Sequence, residues 1–208
     1  MARMLYQGHG SYRFVLNDGT VIYVDPFAGE GYDLPADLIF VTHEHPDHTC
    51  TDLMPHAEGC LTFRAADFLV KGLHGTLGAY GVMATAVQAQ NSYHPVDECV
   101  GLVIEMDGVS FYAAGDTSTT DDMRSGKLEA MGLDYAVFPC DGFYNMGPAE
   151  ASQCARLVAA RHSVPVHLVP VHDASNPTIF DRATAEAFQA PGRIILEPGE
   201  ELELTPAN

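Results

Sequence analysis

Short apolar runs separated by turn residues dominate the first half of the chain. Residues 14–16 and Val21–Val24 flank Asn17-Asp18-Gly19, and an Asp-Gly pair between apolar runs is a hairpin signal. Val100–Met106 and Val109–Ala113 flank Asp107-Gly108 in the same way. The pattern therefore predicts two antiparallel hairpins, one in each half of the chain.

Strands and helices alternate between and after these hairpins. Apolar runs predict buried strands at 38–41 and 135–138, and further strands are predicted at 84–89 and 166–171. Helical spacing and end signals predict helices at 64–73, 148–161 and 180–189, followed by an extended tail at 193–204. The glycine-rich stretch 72–81 is expected to be a mobile loop. Such a pattern suits a sandwich of two mixed sheets with helices outside.

Length and charge narrow the range of functions. The 208 residues, 47% of them hydrophobic, predict one domain over 1–208, and no apolar run approaches the ~18 residues of a membrane span. A net charge of −18, with 28 Asp+Glu against 10 Lys+Arg, makes nucleic acid a poor partner. Five cysteines without a Cys-x-x-Cys pair fit a reducing cytoplasm. We therefore expect a soluble cytoplasmic protein with a small-molecule substrate. The sequence leaves the oligomeric state of the protein open, and a homo-oligomer is compatible with it.

The chemical signal is a cluster of ligand-type residues directly after an apolar strand. His43 and His45 are two positions apart, so on an extended chain both imidazoles point the same way and reach one ion. Asp47 and His48 follow Pro46 and are placed to face a second ion. Imidazole and carboxylate ligands without thiolate suit a catalytic site for zinc, manganese or iron(II).

Two metal ions need further ligands from other strand ends. His94 follows the predicted strand 84–89, Asp116 ends the second hairpin, and His172 ends the predicted strand 166–171. His167 and His172 are five residues apart, an odd offset that puts them on opposite faces of a strand. His172, which opens into a loop, is the predicted ligand, whereas a structural or solvent-facing position is predicted for three other histidines, His56, His162 and His167.

These motifs resemble the metallo-β-lactamase superfamily along nearly the full chain. Within it the chain is most similar to the small metal-dependent hydrolases that include L-ascorbate-6-phosphate lactonase. The likeness rests on Gly8-His9-Gly10-Ser11, Val24-Asp25-Pro26-Phe27, Gly115-Asp116-Thr117 and Phe138-Pro139-x-x-Gly142-x-x-Asn145-Met146. The turn Pro139-Cys140-Asp141-Gly142 contains fewer glycines than the corresponding turn of that group, and the lactonase is a longer protein. The resemblance therefore does not predict that this chain shares the substrate of the lactonase.

The resemblance implies a fold and a set of roles. The fold would be an α/β four-layer αββα sandwich of two mixed β-sheets. A first metal would be held by His43, His45 and His94, and a second by Asp47, His48 and His172, with Asp116 between them. Asp25 would brace the metal loop, and His9 would lie near the mouth of the site. Tyr93, Tyr144 and Asn145 are candidate substrate contacts.

The expected activity is hydrolysis of a small, anionic or neutral substrate, a lactone or another ester being favoured. Two divalent ions, zinc or manganese before iron, would supply a bridging hydroxide, and Asp47 or Asp116 would orient it or relay a proton. Three alternatives stay open: a small-molecule phosphodiesterase or nuclease on the same scaffold, a di-iron redox protein, and a non-enzymatic metal-binding or scaffolding protein.

Overall fold

The computed structural model describes residues 1–171, 175 and 177–207. In chain order its strands are β1 (Arg3–Gly8), β2 (Ser11–Val15), β3 (Val21–Val24), β4 (Ala36–Val41), β5 (His56–Arg64), β6 (Leu69–Val70), β7 (Leu73–His74), β8 (Thr76–Ala79), β9 (Val82–Gln88), β10 (Val100–Met106), β11 (Val109–Ala113), β12 (Tyr135–Pro139), β13 (His162–Val166) and β14 (Glu201–Glu203). The helices are α1 (Ala65–Phe68), α2 (Asp121–Arg124), α3 (Pro148–Val158) and α4 (Arg182–Ala187), with a 3₁₀ turn at Glu129–Met131.

Two six-stranded sheets contain most of these strands. The first has the order β14-β1-β2-β3-β4-β5, and the second has the order β13-β12-β11-β10-β9-β8. Both are mixed: β3, β4 and β5 run parallel, as do β11, β12 and β13, whereas the other pairs are antiparallel. The predicted sandwich of two mixed sheets and both predicted hairpins are confirmed.

The sheets face each other across one hydrophobic core, built by strands with a period of two. In β4, Leu38 and Phe40 enter this core together with Leu102 and Ile104 of β10. Ile39 of β4 instead faces outward. Alternate residues of a strand point to opposite faces, so a strand that is apolar throughout is covered on both sides.

The outer layers differ between the two sheets. Helices α2, α3 and α4 contribute buried residues to the apolar cluster behind the second sheet, among them Met123, Cys154 and Ala185. Behind the first sheet, Tyr32, Leu34 and Met54 from connecting segments cover the outward side chains. No helix in the described residues is both long and apolar enough to cross a membrane.

The helix predicted at 64–73 is wrong beyond its first turn. Only Ala65–Phe68 is helical, and β6 and β7 then form a hairpin whose two turn residues, Lys71 and Gly72, have φ of 53° and 76°. Positive φ at both turn positions is the type I′ geometry that joins antiparallel strands. Tyr80 and Gly81, at 51° and 75°, make a similar turn between β8 and β9, so the predicted mobile loop at 72–81 is largely strand.

Hydrogen bonds of Asp134 link the start of β12 to neighbouring segments. Its Oδ2 accepts hydrogen bonds from the backbone N and Oγ of Ser110, at 3.0 and 3.2 Å. Its Oδ1 accepts from Arg161 Nη1 at 2.9 Å and from the backbone N of Ala207 at 2.7 Å. Burial raises the pKa of this carboxyl, but these donors, Ser110 first, outweigh it and lower the pKa below its ordinary value.

Replacing Asp134 by asparagine is expected to lower the free energy of unfolding by about 2 kcal/mol at pH 7, because charged hydrogen bonds are lost. The pKa is lower in the folded chain, so the unfolded chain binds more protons in acid. The stability from Asp134 is therefore present at neutral pH and decreases as the pH falls below the ordinary aspartate pKa of about 4. Urea unfolding at pH 7 and pH 3.5 tests this, with the exposed Asp52→Asn as control. An equal difference at both pH values would contradict it.

Candidate metal centre

The loop after β4 carries four of the ligand-type side chains. β4 ends at Val41, and the backbone N of His48 donates to the carbonyl of His45 at 3.0 Å, which closes a turn around Pro46 and Asp47. The turn leaves His43 and His48 buried and His45 more exposed. The predicted two-position spacing thus brings two imidazoles to one side of a tight turn.

His43, His45 and His94 form the first group. Their candidate ligand atoms all lie within 4.8 Å of one another. His94 Nε2 is 3.0 Å from His45 Nδ1, and His94 comes from the loop after β9, as expected. Three imidazoles from two loops therefore converge as a metal site of this type requires.

His9, Asp47, His48 and His167 form the second group, again with ligand atoms within 4.8 Å of one another. His9 Nε2 is 3.1 Å from Asp47 Oδ2, and the rings of His9 and His167 have centroids 3.6 Å apart. The backbone N of His167 also donates to the carbonyl of His9 at 2.7 Å. Three segments that are distant in sequence thus meet at one point.

Asp116 lies between the two groups. Its Oδ2 is 3.4 Å from His94 Nε2 on one side and 3.3 Å from His167 Nε2 on the other. Its Oδ1 is 3.5 Å from His48 Nε2. A carboxylate in this position can contact cations in both groups.

Buried polar partners hold the ligand-type residues from behind. Asp25 accepts from the backbone N and the Oγ1 of Thr42, both at 2.7 Å, and its Oδ2 is 3.1 Å from His48 Nδ1. Asp141 Oδ2 is 3.1 Å from His167 Nδ1. Carboxylates behind metal-ligating imidazoles fix the ring orientation and raise ligand basicity.

A chain of side-chain amides connects the two groups. Asn145 Nδ2 donates to Asp116 and Asp141, both at 2.9 Å. Asn145 Oδ1 accepts from Asn91 at 2.9 Å, and Asn91 Oδ1 lies 2.8 Å from His94 Nδ1. The orientation of one histidine in each group therefore depends on the same network.

Burial sets the protonation of several of these residues. It lowers the pKa of His43 to about 2 and that of His94 to about 4, and burial followed by the neighbouring His167 lowers that of His9 to about 4. Neutral imidazoles have lone pairs for a cation. Burial opposes ionisation of Asp116, but His167 and His48 hold its pKa well below the ordinary value.

The donor set fits divalent metal ions. Nε2 of His43, His48 and His167 are buried and make no hydrogen bond within the described residues. Buried polar atoms are nearly always partnered, so such atoms indicate a missing ligand. Imidazole nitrogens with carboxylate oxygens, and no thiolate, match the preferences of zinc, manganese and iron(II).

The structure brings together six of the seven predicted ligands, and these are His43, His45, Asp47, His48, His94 and Asp116. The seventh, His172, lies outside the described residues. His167 was assigned to a structural or solvent-facing position, and its solvent-facing placement is wrong, because the side chain is buried within the cluster. The reason is the strand: β13 ends at Val166, five residues before the predicted end, so His167 is the residue that leaves the sheet.

The remaining candidates have distinct surroundings. His9 is fully buried inside the cluster rather than at its mouth, and Asp25 lies behind His48 as expected. Tyr93 and Tyr144 line a cavity of about 370 Å³ over the centre, whereas Asn145 is tied to Asp116. Sequence reasoning missed the positions of Asp141 and Asn91.

Comparison with known proteins agrees with this geometry. A model of the β-lactamase superfamily domain matches residues 3–167. The chain belongs to the metallo-β-lactamase superfamily. It is 30% identical to a UPF0173 metal-dependent hydrolase of Thermococcus kodakarensis, over 98% of this chain and 100% of the relative, and 33% identical to one of Thermus thermophilus with the same coverage. These relatives place this metallo-β-lactamase superfamily member among the metal-dependent hydrolases.

A solved structure shows the same fold. The metallo hydrolase Igni18 from the hyperthermophilic archaeon Ignicoccus hospitalis superposes with a TM-score of 0.72, covering 98% of this chain and 99% of that one. The two sequences are 20% identical, so the similarity supports the metallo-β-lactamase fold.

Proposed function

We propose that this protein hydrolyses a lactone or another ester of a small molecule with two divalent metal ions, zinc or manganese. The observation that carries the proposal is the position of Asp116. Its two carboxylate oxygens lie 3.3–3.5 Å from His94, His167 and His48, which belong to the two histidine groups. One buried carboxylate shared by two imidazole groups is the arrangement that a two-metal hydrolase needs.

The first ion would be held by His43, His45 and His94, and the second by Asp47, His48 and His167, with Asp116 between them. His167 here takes the place first given to His172. When bound, such ions lower the pKa of water to near neutrality and polarise a carbonyl oxygen as Lewis acids.

Asp47 is the carboxylate that water and substrate reach. Its side chain is 24% exposed and lines the cavity, whereas the Asp116 side chain is 5% exposed. His9 Nε2 lies 3.1 Å from Asp47 Oδ2, and this contact restrains the orientation of the carboxylate. Asp47 would orient the attacking water, and His9 would act as the positioning residue of Asp47.

The proposal is tested by metal content and turnover on one preparation. We expect close to two ions per chain, and faster hydrolysis of 4-nitrophenyl acetate and γ-lactones than of bis(4-nitrophenyl) phosphate, with zinc and with manganese. Preferred cleavage of the phosphodiester would contradict the ester assignment. Bound metal without turnover of any of these substrates would contradict an enzymatic role.

A further inference from the structure

The cavity above the centre has two chemically different walls. The wall toward the centre consists of the ligand-type residues His45, Asp47, His94, Asp116 and His167. The other lining residues, here called the apolar wall, are Pro46, Tyr93, Tyr144 and Val171. At about 370 Å³, the cavity has room for a small organic molecule.

Aromatic rings form much of the apolar wall. Tyr93 and Tyr144 meet edge to face with ring centroids 5.4 Å apart, and Phe143 contacts Tyr144 at 4.7 Å. Tyr93 is 50% exposed and Phe143 is 56% exposed. Exposed aromatic side chains beside a cavity are typical of a surface that binds apolar groups.

No lysine or arginine lines this cavity in the described part of the chain. Seven of the ten cationic residues contact carboxylates: Arg3, Arg13, Arg64, Arg124, Lys127, Arg161 and Arg182. Arg156 and Arg193 donate to backbone carbonyls, and Lys71 lies in the β6–β7 turn. The undescribed residues 172–174, 176 and 208 include no lysine or arginine.

Acidic groups surround the same region. A second cavity, which shares His45 with the first, is lined by Glu44, Asp97 and Glu98. The chain as a whole carries a net charge of −18. Glu44 is paired with Arg64, and Arg124 lines another neighbouring cavity, which shares His94 with the first. Asp97, Glu98 and the net negative charge of the chain therefore disfavour a negatively charged group lying away from the centre.

We propose that the substrate carries an uncharged apolar group, which packs against Tyr93 and Tyr144 while the ester lies over the centre. This inference rests on the hydrolase function proposed above. It excludes a phosphorylated or carboxylated tail, and with it substrates such as a lactone phosphate. The specificity for the substrate then depends on the apolar wall.

Two esters with the same leaving group test the charge of the tail. 4-Nitrophenyl hexanoate ends in a methyl group, and the 4-nitrophenyl monoester of adipic acid has a similar length but ends in a carboxylate. We expect a kcat/KM at least about tenfold higher for the hexanoate. Equal or faster cleavage of the adipate ester would overturn the inference and leave the hydrolase function intact.

The role of the apolar wall is tested with Tyr93→Ala. This variant is expected to lower kcat/KM for the hexanoate ester about five- to tenfold, and kcat/KM for 4-nitrophenyl acetate by a smaller factor, because the shorter acyl chain has less apolar surface to lose against the ring. Tyr80→Ala is the matched control, since Tyr80 is another exposed tyrosine, in the β8–β9 turn. An equal loss for both esters would contradict the inference.

Calorimetry of the metal-loaded protein gives a readout that does not depend on turnover. The free acid hexanoate should bind more tightly than the dicarboxylate adipate, and this difference in affinity should be smaller in Tyr93→Ala. Tighter binding of adipate would overturn the apolar wall even in a protein that cleaves no ester. Absence of all ester turnover, with hexanoate still preferred, would instead contradict the proposed function.

Discussion

Replacing Asp116 by alanine is expected to lower kcat/KM by at least about 10³-fold and to release at least one metal ion, while the protein stays folded. The carboxylate contacts imidazoles of both groups, at 3.4 Å from His94 and 3.3 Å from His167. Without it, neither group has an anionic ligand from this side, and two cations held close together lose the negative charge between them. Two-metal chemistry depends on both ions, so the rate falls with the occupancy.

The measurement is metal analysis and ester turnover on one preparation, with circular dichroism to confirm folding. Asp121→Ala is a suitable control, because Asp121 is a 79% exposed aspartate on α2. Its metal content and kcat/KM should equal those of the unmodified protein. Undiminished activity of a folded Asp116→Ala protein would refute the position of Asp116 between two metal ions.

Replacing His167 by alanine is expected to lower kcat/KM by about 10²- to 10³-fold and to weaken binding of one metal ion. His167 is buried between Asp116 and Asp141, with a ring nitrogen 3.3 Å from the first carboxylate and 3.1 Å from the second. A ring fixed in this way is already oriented as a ligand. Its loss leaves His48 as the one imidazole among the proposed ligands of the second ion.

His162→Ala is the matched control, because His162 begins the strand that ends just before His167 but contacts the ring of Tyr135 instead of the centre. His172→Ala, made alongside, compares the histidine that the sequence predicts as a ligand with the one that the structure describes inside the cluster. We expect the large loss in His167→Ala. A large loss confined to His172→Ala would contradict the ligand role of His167.

Most of the sandwich could be predicted because its strands follow a simple rule. Leu38 and Phe40 face the shared core, and Ile39 between them packs on the outer side. Apolar runs with Asp-Gly turns at Gly19 and Gly108 therefore locate strands and hairpins. The prediction for the segment 69–81 was wrong because the structure of this segment depends on two turns with positive φ, and not on its glycine content alone.

The metal loop could be predicted because its ligands are adjacent in sequence. His43, His45, Asp47 and His48 follow one apolar strand, and the spacing alone implies convergence. His94 and Asp116 could be found because each follows a predicted strand end. The position of His167 depended on the last residue of β13, which lies five residues before the predicted strand end.

Asp141 could have been found by the same rule that placed Asp116. β11, β12 and β13 run parallel, so the residues after their carboxyl ends meet at one edge of the sheet. Asp116, Asp141 and His167 are those residues. The hydrogen bonds of Asn91 and Asn145 had no such signal, because a single amide side chain carries no pattern along the chain.

Strain at the centre was equally invisible in the sequence. His9, Asp25 and His167 have φ of 53°, 47° and 46°, a region that side chains other than glycine seldom adopt. Such conformations cost on the order of 1–3 kcal/mol each and persist where the surrounding structure enforces them. Here they occur at two residues of the second group, His9 and His167, and at Asp25, which supports His48.

The central claim is that two metal ions bind on either side of Asp116. Anomalous diffraction from a crystal loaded with zinc or manganese tests it most directly. We predict two anomalous peaks about 3.5–4 Å apart, one beside His43, His45 and His94 and the other beside His48 and His167. A single peak, or peaks that leave either histidine group without metal, would contradict the account.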